Sequence, residues 1–280
     1  AILEGNLDDA NVNVNLDPVY GNFNGTTSSS LSNDNDFDNL WYGGGGDGGL
    51  VSAWIYADSS GESDYPRIFD KNQWLISLKD YDSGINSAKL NFSHSFDGSG
   101  ADWRTTDRVV PFDTWTHIAL NYNSDATGND PVIYINGVSV GTVGSGLTEG
   151  NTPVGTRVTD ASSTLYIGNN SSGTRTFHGY IMDVKIYKNT TFTQPQVAVL
   201  ASKINVDKDH PGLPAPGPRM YLWWKGNADA TADSSGSANN LTASNMGSVV
   251  YDAFSVDVQN IMTTDGTFTV TQGKVEGKAL

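Results

Sequence analysis

Residues 112–141 constrain the fold more than any other stretch, because their pattern excludes a helix. The first half alternates between two kinds of side chain with the period of two that a pleated strand requires. Residues 132–135 are β-branched or aromatic, and Asn136-Gly137, which tolerates the positive φ of a two-residue hairpin turn, follows directly. Residues 138–143 then resume with several valines. This stretch is predicted to be a β-meander.

Composition extends this prediction to the whole chain. The 280 residues include 31 glycines, and only 17% are charged, which is typical of short strands joined by many turns. No long stretch carries helical periodicity. A chain of this length can also bury a sizeable core, either as one large β domain or as one domain with an appendage.

Charge and cysteine content exclude several function classes. The formal net charge is −15, so the surface repels phosphates, which argues against nucleic acid and against anionic lipid as partners. There is no cysteine, which favours a microbial or viral origin. No apolar run approaches a membrane span, and the first residues lack the basic and apolar regions of a signal peptide. We therefore expect synthesis without export and no membrane insertion.

Ordered motifs in residues 40–201 resemble the laminin-G-like domains of the concanavalin A-like lectin and glucanase superfamily. The motifs, in order, are Trp115-Thr116-His117-Ile118-Ala119, Tyr134-Ile135-Asn136-Gly137, Leu165-Tyr166-Ile167-Gly168, Phe177-His178-Gly179-Tyr180-Ile181 and Val184-Lys185-Ile186-Tyr187. The ordered set is much more specific than any single motif. The resemblance implies an all-β jelly-roll sandwich of two antiparallel sheets.

Four segments are predicted along the chain. Residues 1–39 are rich in Asn, Asp, Ser and Gly and are predicted to be an extended arm. Residues 40–202 form the jelly-roll domain. Four prolines within 203–219 predict a semi-rigid linker. Residues 220–280 are predicted to be a C-terminal β segment.

The C-terminal segment resembles the opening of a laminin-G-like domain, which in the family precedes the strand matched here by residues 51–55. Three explanations stay open. The domain is circularly permuted, the segment completes a neighbouring copy, or a second domain begins here and is cut off. We rank the first two above the third, because the exposed strands of half a sandwich would aggregate.

The sequence predicts no enzyme. Glycosidases need two carboxylates on facing strands, and related glucanases carry an E-x-D-x-x-E strand that is absent here. The four histidines form neither H-x-x-x-H nor H-E-x-x-H, and no G-x-S-x-G motif occurs. Catalytic residues are therefore predicted to be none.

The resemblance also implies a structural calcium, which many family members hold through an Asp of the motif G-x-I-D-E-V. Here Met182 replaces that Asp, and Asp183 falls at the Glu position. Asp58, Asp64 and Asp183 are the candidate ligands, since calcium takes hard oxygen donors. Solvated loop carboxylates are the favoured alternative.

Carbohydrate binding is the commonest function that the resemblance implies. It requires exposed aromatic rings for sugar faces and polar groups for hydroxyls. The candidates on or beside loops are Trp74, Tyr81, Trp103 and Tyr65. Each is alternatively a core or interface residue of the sandwich.

Two function classes follow. The first is a non-enzymatic structural and adhesion protein of a virion, such as a bacteriophage head decoration or fibre protein, with self-association, other virion subunits and host glycans as partners. The second is a carbohydrate-binding module that is secreted or located on a bacterial cell surface. An acidic chain without cysteine or signal peptide favours the first, and a longer gene with a signal peptide would favour the second.

Overall fold

The computed structural model describes ten stretches of the chain, and they fall into two compact units. The described residues are 3–6, 21–25, 29–33, 37–44, 47–63, 65–214, 220–225, 232–246, 267–271 and 274–276. One unit spans 19–250 and the other combines 1–18 with 251–280. All side-chain geometry that follows belongs to the first unit.

Strands make up nearly all regular structure in these stretches. The first ten are β1 (Leu3–Asn6), β2 (Gly21–Asn24), β3 (Ser30–Asn33), β4 (Gly49–Ala57), β5 (Arg67–Asp70), β6 (Trp74–Asp82), β7 (Ser87–His94), β8 (Ala101–Thr105), β9 (Val110–Pro111) and β10 (Trp115–Tyr122). The others are β11 (Val132–Ile135), β12 (Val138–Ser139), β13 (Thr142–Val143), β14 (Gly146–Asn151), β15 (Leu165–Ile167), β16 (His178–Lys188), β17 (Met220–Trp224), β18 (Thr242–Ser244), β19 (Thr267–Thr271) and β20 (Lys274–Glu276). The helix α1 (Gln194–Ala201) lies between β16 and β17. Among the described residues, no helix is long and apolar enough to cross a membrane.

The larger unit is a sandwich of two sheets, which confirms the predicted all-β fold. The seven-stranded sheet has the order β12-β11-β10-β4-β16-β17, with β2 also paired to β16. The ten-stranded sheet has the order β13-β14-β8-β7-β6-β5-β15-β3-β18, with β9 paired to β7. Its β13–β14 pair is parallel, whereas the central pairs of both sheets are antiparallel. In the other unit, β1, β19 and β20 form a three-stranded sheet.

The main core lies between the two sheets, as the alternation of side chains requires. Val51, Ala53 and Ile55 of β4 point inward, and they belong to one apolar cluster with Leu78 of β6 and Leu90 of β7. Successive side chains of a strand point to opposite faces. The residues between these positions therefore lie on the outer faces of the two sheets, where both candidate sites are found.

A second apolar cluster covers part of the outer face of the seven-stranded sheet. Val197 and Leu200 of α1 pack there with Tyr187 of β16. Val206 and Leu213, from the predicted linker, are buried in the same cluster. The first part of that stretch is thus packed against the domain, and its last residues, 215–219, lie outside the described part of the chain.

Residues outside the predicted 40–202 domain contribute strands to both sheets. β2 and β17 pair with β16 in the smaller sheet, while β3 and β18 lie together at one edge of the larger sheet. Within this chain, β17 and β18 therefore pair with strands of the same sandwich. The domain boundaries and the circular permutation stay predictions.

The hairpin at Asn136-Gly137 is confirmed. The two residues have φ values of +49° and +80°, and Ile135 pairs directly with Val138. The following strand is shorter than predicted, because Gly141 at φ +115° separates β12 from β13. A side chain at this position would collide with the backbone of Ser145.

Stability should decrease on mild acidification, because two buried histidines stay neutral in the folded state. Burial lowers the pKa of His94 to about 4 and that of His117 to about 3. In the unfolded chain both titrate near 6.5. The unfolded state then binds more protons between pH 6.5 and 5, so the free energy of unfolding should fall by about 1.5 kcal/mol per histidine.

Urea denaturation at pH 6.5 and at pH 5 measures this loss. His117→Leu should remove the part of the pH dependence that His117 contributes. A free energy of unfolding that is the same at both pH values would contradict neutral burial of these side chains.

Candidate functional site

Three aromatic rings meet on the outer face of the seven-stranded sheet. Tyr56 of β4 lies between its cross-strand partners Trp115 of β10 and Tyr180 of β16. Ring centroids are 5.6 Å apart for Tyr56 and Trp115, 5.7 Å for Tyr56 and Tyr180, and 6.4 Å for Trp115 and Tyr180. All three side chains are partly exposed. We call this group the aromatic cluster.

Gly179 explains how β16 comes close enough to β4 to bring these rings together. Its φ is +132°, and a Cβ at this position would lie 1.9 Å from the backbone oxygen of Tyr56. Any side chain would push the two strands apart. The glycine of the Phe177-His178-Gly179-Tyr180-Ile181 motif therefore has a geometric role beside the aromatic cluster.

Polar groups border the aromatic cluster on one side. Ser59 Oγ lies 2.6 Å from His178 Nδ1, and His178 Nε2 lies 4.0 Å from Asp58 Oδ2. Burial raises the pKa of Asp58, with a further increase from the charge of Asp113, although His178 opposes this. Burial and the charges of Asp113 and Asp58 also raise the pKa of Tyr56. These carboxylate, imidazole and hydroxyl groups are suited to hydrogen bonding with sugar hydroxyls.

Further along the same strands, a second aromatic contact adjoins the aromatic cluster. The rings of Trp54 and His117 lie 5.4 Å apart in an edge-to-face arrangement. Within the described stretches, Trp54 Nε1 and His117 Nδ1 are buried and have no hydrogen-bond partner. A buried polar atom without a partner is costly unless water or a ligand satisfies it.

A groove of about 600 Å³ lies on the opposite side of the sandwich, on the outer face of the ten-stranded sheet. Lys79 of β6, Ser93 of β7, and Asp102 and Arg104 of β8 line it, together with loop residues such as Asn72. Their neighbours along each strand, such as Trp103, point into the core. We call this depression the polar groove.

Asp102 joins the charged side chains of the polar groove. Its Oδ1 accepts hydrogen bonds from Lys79 Nζ at 3.2 Å and Ser93 Oγ at 2.7 Å, and its Oδ2 accepts one from Arg104 Nη2 at 3.3 Å. Burial alone would raise the pKa of Asp102, but Ser93 and Lys79 together lower it. The carboxylate is therefore ionised at neutral pH and holds both cations in place.

The four aromatic residues predicted from the sequence separate into two buried and two exposed side chains. Trp74 is 1% exposed and Trp103 is 0% exposed, and their indole nitrogens donate to Asp160 and Asp130. Neither of these buried rings offers a face to a sugar, because both pack in the core. Tyr65 and Tyr81 are each 40% exposed.

The two exposed tyrosines are in different surroundings. Tyr65 lies beside the polar groove, with Lys79 Nζ 5.1 Å from its ring centroid. Tyr81 stacks on Phe112 at a centroid distance of 4.7 Å. The structure thus places one predicted stacking residue next to a groove and pairs the other with an apolar neighbour.

Comparison of the sequence with family models gives one match. The model described as the concanavalin A-like lectin/glucanases superfamily, in its laminin-G group, matches residues 24–198. This range covers more than half of the 280 residues. The chain belongs to this family.

Several solved structures resemble the chain at low sequence identity. A protein from Bacteroides ovatus ATCC 8483, provisionally described as carbohydrate binding, has 18% identity and a TM-score of 0.55 over 82% of this chain. The match covers 59% of that protein, so the chain spans less than two thirds of its length. No curated protein sequence matches the chain.

Two further solved structures match with lower TM-scores. Domains LG4-5 of the mouse laminin alpha1 chain match with 12% identity and a TM-score of 0.36, over 62% of this chain and 44% of that one. The enzymatically active domain of tailspike protein 2 from bacteriophage CBA120 matches with 12% identity and a TM-score of 0.39, over 63% and 26%.

Of the three candidate calcium ligands, Asp183 does not suit the calcium that the laminin-G-like resemblance implies. Asp183 is buried, and its carboxylate accepts hydrogen bonds from Lys185 Nζ, Trp223 Nε1 and the Asn205 backbone. An ammonium group thus already occupies the place of a cation. Asp64 lies outside the described residues. In the described stretches, no three His, Cys, Asp or Glu side chains converge to hold a metal ion.

The rings of the aromatic cluster were not among the residues selected from the sequence, although a signal for them was present. In β4 and β16 the apolar residues Ile55 and Ile181 alternate with Tyr56 and Tyr180. Once Ile55 and Ile181 are assigned to the core, the tyrosines must face outward. Strand pairing, which the sequence does not reveal, was needed to bring them together with Trp115.

Proposed function

We propose that this chain is a non-enzymatic structural and adhesion protein of a virion, such as a head decoration or fibre protein, whose laminin-G-like domain binds glycans. The observation that carries the glycan part is the aromatic cluster, where three partly exposed rings meet on one sheet face. Aromatic rings stack on the apolar faces of sugars, and neighbouring polar groups then bind hydroxyls. Asp58 and His178 supply those groups beside the cluster.

A binding role without catalysis is supported by the acid that lines the polar groove. In the polar groove, Asp102 is ionised and bound to Lys79 and Arg104, so it is unsuited to act as a general acid. At the aromatic cluster, burial and the charge of Asp113 raise the pKa of Asp58, so Asp58 is the acid at which hydrolysis has to be tested. We expect incubation with bound oligosaccharides to yield no hydrolysis products, and hydrolysis that Asp58→Asn abolishes would overturn this part of the proposal.

The virion part of the proposal is supported by composition. The chain has no cysteine and a net charge of −15, which suits a microbial or viral protein that remains dispersed at high concentration. The alternative is a carbohydrate-binding module of a bacterial cell surface. The fold shared with the Bacteroides ovatus protein, whose description is carbohydrate binding, favours this alternative. Sedimentation at several concentrations separates them, since a defined oligomer supports assembly and a monomer supports the module.

Trp115→Ala should weaken glycan binding about tenfold. An aromatic contact of this kind contributes about 1.5 kcal/mol, which corresponds to about a tenfold change in Kd. A panel of neutral tetrasaccharides identifies the best ligand, and isothermal titration calorimetry then compares the variant with the unaltered chain.

Tyr42→Ala is the matched control, because Tyr42 is an exposed aromatic residue that contacts Arg157 away from the cluster. It should bind the selected tetrasaccharide with unchanged affinity. Both variants should keep the thermal midpoint within a few degrees. Equal binding by Trp115→Ala, or no binding of any tetrasaccharide by the unaltered chain, would refute glycan binding at the aromatic cluster.

A further inference from the structure

The shape and lining of the polar groove indicate a polyhydroxylated ligand. The groove holds about 600 Å³ and is open along one side, so it admits a few ring-sized units without enclosing them. Hydrogen-bonding side chains such as Asn72, Ser93 and Ser99 line most of it. An apolar ligand would leave these groups without partners, which is unfavourable.

The charge of the polar groove adds a second requirement that a ligand must meet. Two cations, Lys79 and Arg104, line it with a single carboxylate, that of Asp102. Asp80 is not part of the lining. Its Oδ2 lies 3.4 Å from Arg104 Nη1 and 3.8 Å from Lys89 Nζ, so the charge of Asp80 is shared between two cations. The lining therefore carries an excess of positive charge, although the whole chain is strongly acidic.

Both cations can reach a ligand. The side chains of Lys79 and Arg104 are 18% and 31% exposed, and Asp102 holds them toward the same part of the groove. Their contacts to Asp102, at 3.2 and 3.3 Å, are longer than the 2.7–2.9 Å typical of tight charge-assisted hydrogen bonds. Lys79 donates one hydrogen bond, to Asp102, and Arg104 donates two, to Asp102 and Asp80, so each cation has further donor hydrogens for a ligand.

We propose that the polar groove is a second binding site, specific for an acidic sugar residue whose carboxylate contacts Lys79 and Arg104. The partly exposed ring of Tyr65 flanks the site, with Lys79 Nζ 5.1 Å and the Arg175 guanidinium carbon 5.7 Å from its centroid. This site lies on the other sheet of the sandwich and does not depend on the aromatic cluster.

Charge and lining favour this ligand over related ones. A neutral sugar would leave the excess positive charge uncompensated. A highly sulfated or phosphorylated polymer requires many cations, whereas the groove has two and the chain as a whole repels polyanions. One carboxylate per sugar unit, among several hydroxyls, matches both the charge and the hydrogen-bonding lining.

Isothermal titration calorimetry with three ligands tests this proposal. Tetragalacturonate carries the carboxylates, its methyl ester has the same rings without charge, and a glutamate-rich peptide carries carboxylates without sugar rings. We expect binding of tetragalacturonate only. Equal binding of the methyl ester, tighter binding of the peptide, or no binding of tetragalacturonate at millimolar concentration would overturn the proposal.

Lys79→Met locates the binding and retains most of the contact with Tyr65. It should weaken tetragalacturonate binding about tenfold or more, since a charge-assisted hydrogen bond is lost. Lys89→Met is the control. Lys89 lies in the same ten-stranded sheet but is not among the residues that line the groove. If Lys79→Met binds normally, the proposal fails even when tetragalacturonate binds.

Failure of this site and failure of the aromatic cluster are distinguishable. If Trp115→Ala abolishes binding of tetragalacturonate while Lys79→Met does not, glycan binding stands and the second site is refuted. If neutral tetrasaccharides never bind while Lys79→Met abolishes tetragalacturonate binding, the second site stands and the aromatic cluster is refuted.

Discussion

A chain that ends at Pro214 should not form a stable sandwich. The truncation removes β17 and β18, which pair with β16 and β3. It also removes Met220, Leu222, Trp223 and Trp224, all of which are buried. Fully burying four large apolar side chains contributes roughly 6–12 kcal/mol. This is comparable with the entire stability of a typical domain, about 5–15 kcal/mol.

Circular dichroism and urea denaturation at 25 °C measure this result. The matched control ends at Val250, which removes the second unit's C-terminal strands and keeps the complete 19–250 unit. That control should unfold cooperatively, with a midpoint near that of the full chain. A cooperative transition of the Pro214 chain at a urea concentration close to the control's midpoint would contradict a structural role for β17.

Asp183→Ala should destabilise the domain by about 3–5 kcal/mol. The variant leaves the ammonium of Lys185, which is 1% exposed, without its carboxylate partner. Burial already lowers the pKa of Lys185, and the charge of Asp183 opposes this. Without Asp183, the folded state must bury an unpaired charge or release a proton, and either is costly. Chemical denaturation measures the difference in free energy of unfolding.

The double variant Asp183→Ala/Lys185→Met separates charge burial from lost packing. Removing both charges should restore at least half of the lost stability, because no unpaired charge then remains. Calcium provides a second control, since an Asp183 that bound calcium would raise the thermal midpoint of the unaltered chain when the ion is added. We expect no such shift. A loss below about 1 kcal/mol for Asp183→Ala would contradict the buried ion pair.

The local sequence pattern is sufficient to predict the fold class, because side chains in the strands of this chain alternate between the two faces of the sheet. The turn at Asn136-Gly137 and the alternation in β10 are properties of a few adjacent residues. Helix α1 was missed, since its eight residues are too few to show a helical period. Burial of Val206 in the predicted linker was also missed, because proline spacing reports backbone stiffness and says nothing about what the segment packs against.

The candidate sites were harder to predict, since each is assembled from strands that are far apart in sequence. Trp74 and Trp103 resembled surface residues beside loops, yet both point inward from their strands. Tyr56, Trp115 and Tyr180 meet only because β4 lies between β10 and β16 in the sheet. Single-sequence reasoning identifies which side of a strand a residue occupies. It does not identify which strands are neighbours.

The pairing of β3 with β18 has a consequence for how the protein is made. Asn33 Nδ2 donates a hydrogen bond to the backbone oxygen of Asn240, 207 residues later. A ribosome that adds 5–20 residues per second needs on the order of 10–40 s to synthesise this interval. Throughout that time β3 presents an open edge that strands of other nascent chains can join. Yield in a cell should therefore depend on how densely ribosomes load the messenger, and sparse loading should favour correctly closed sandwiches.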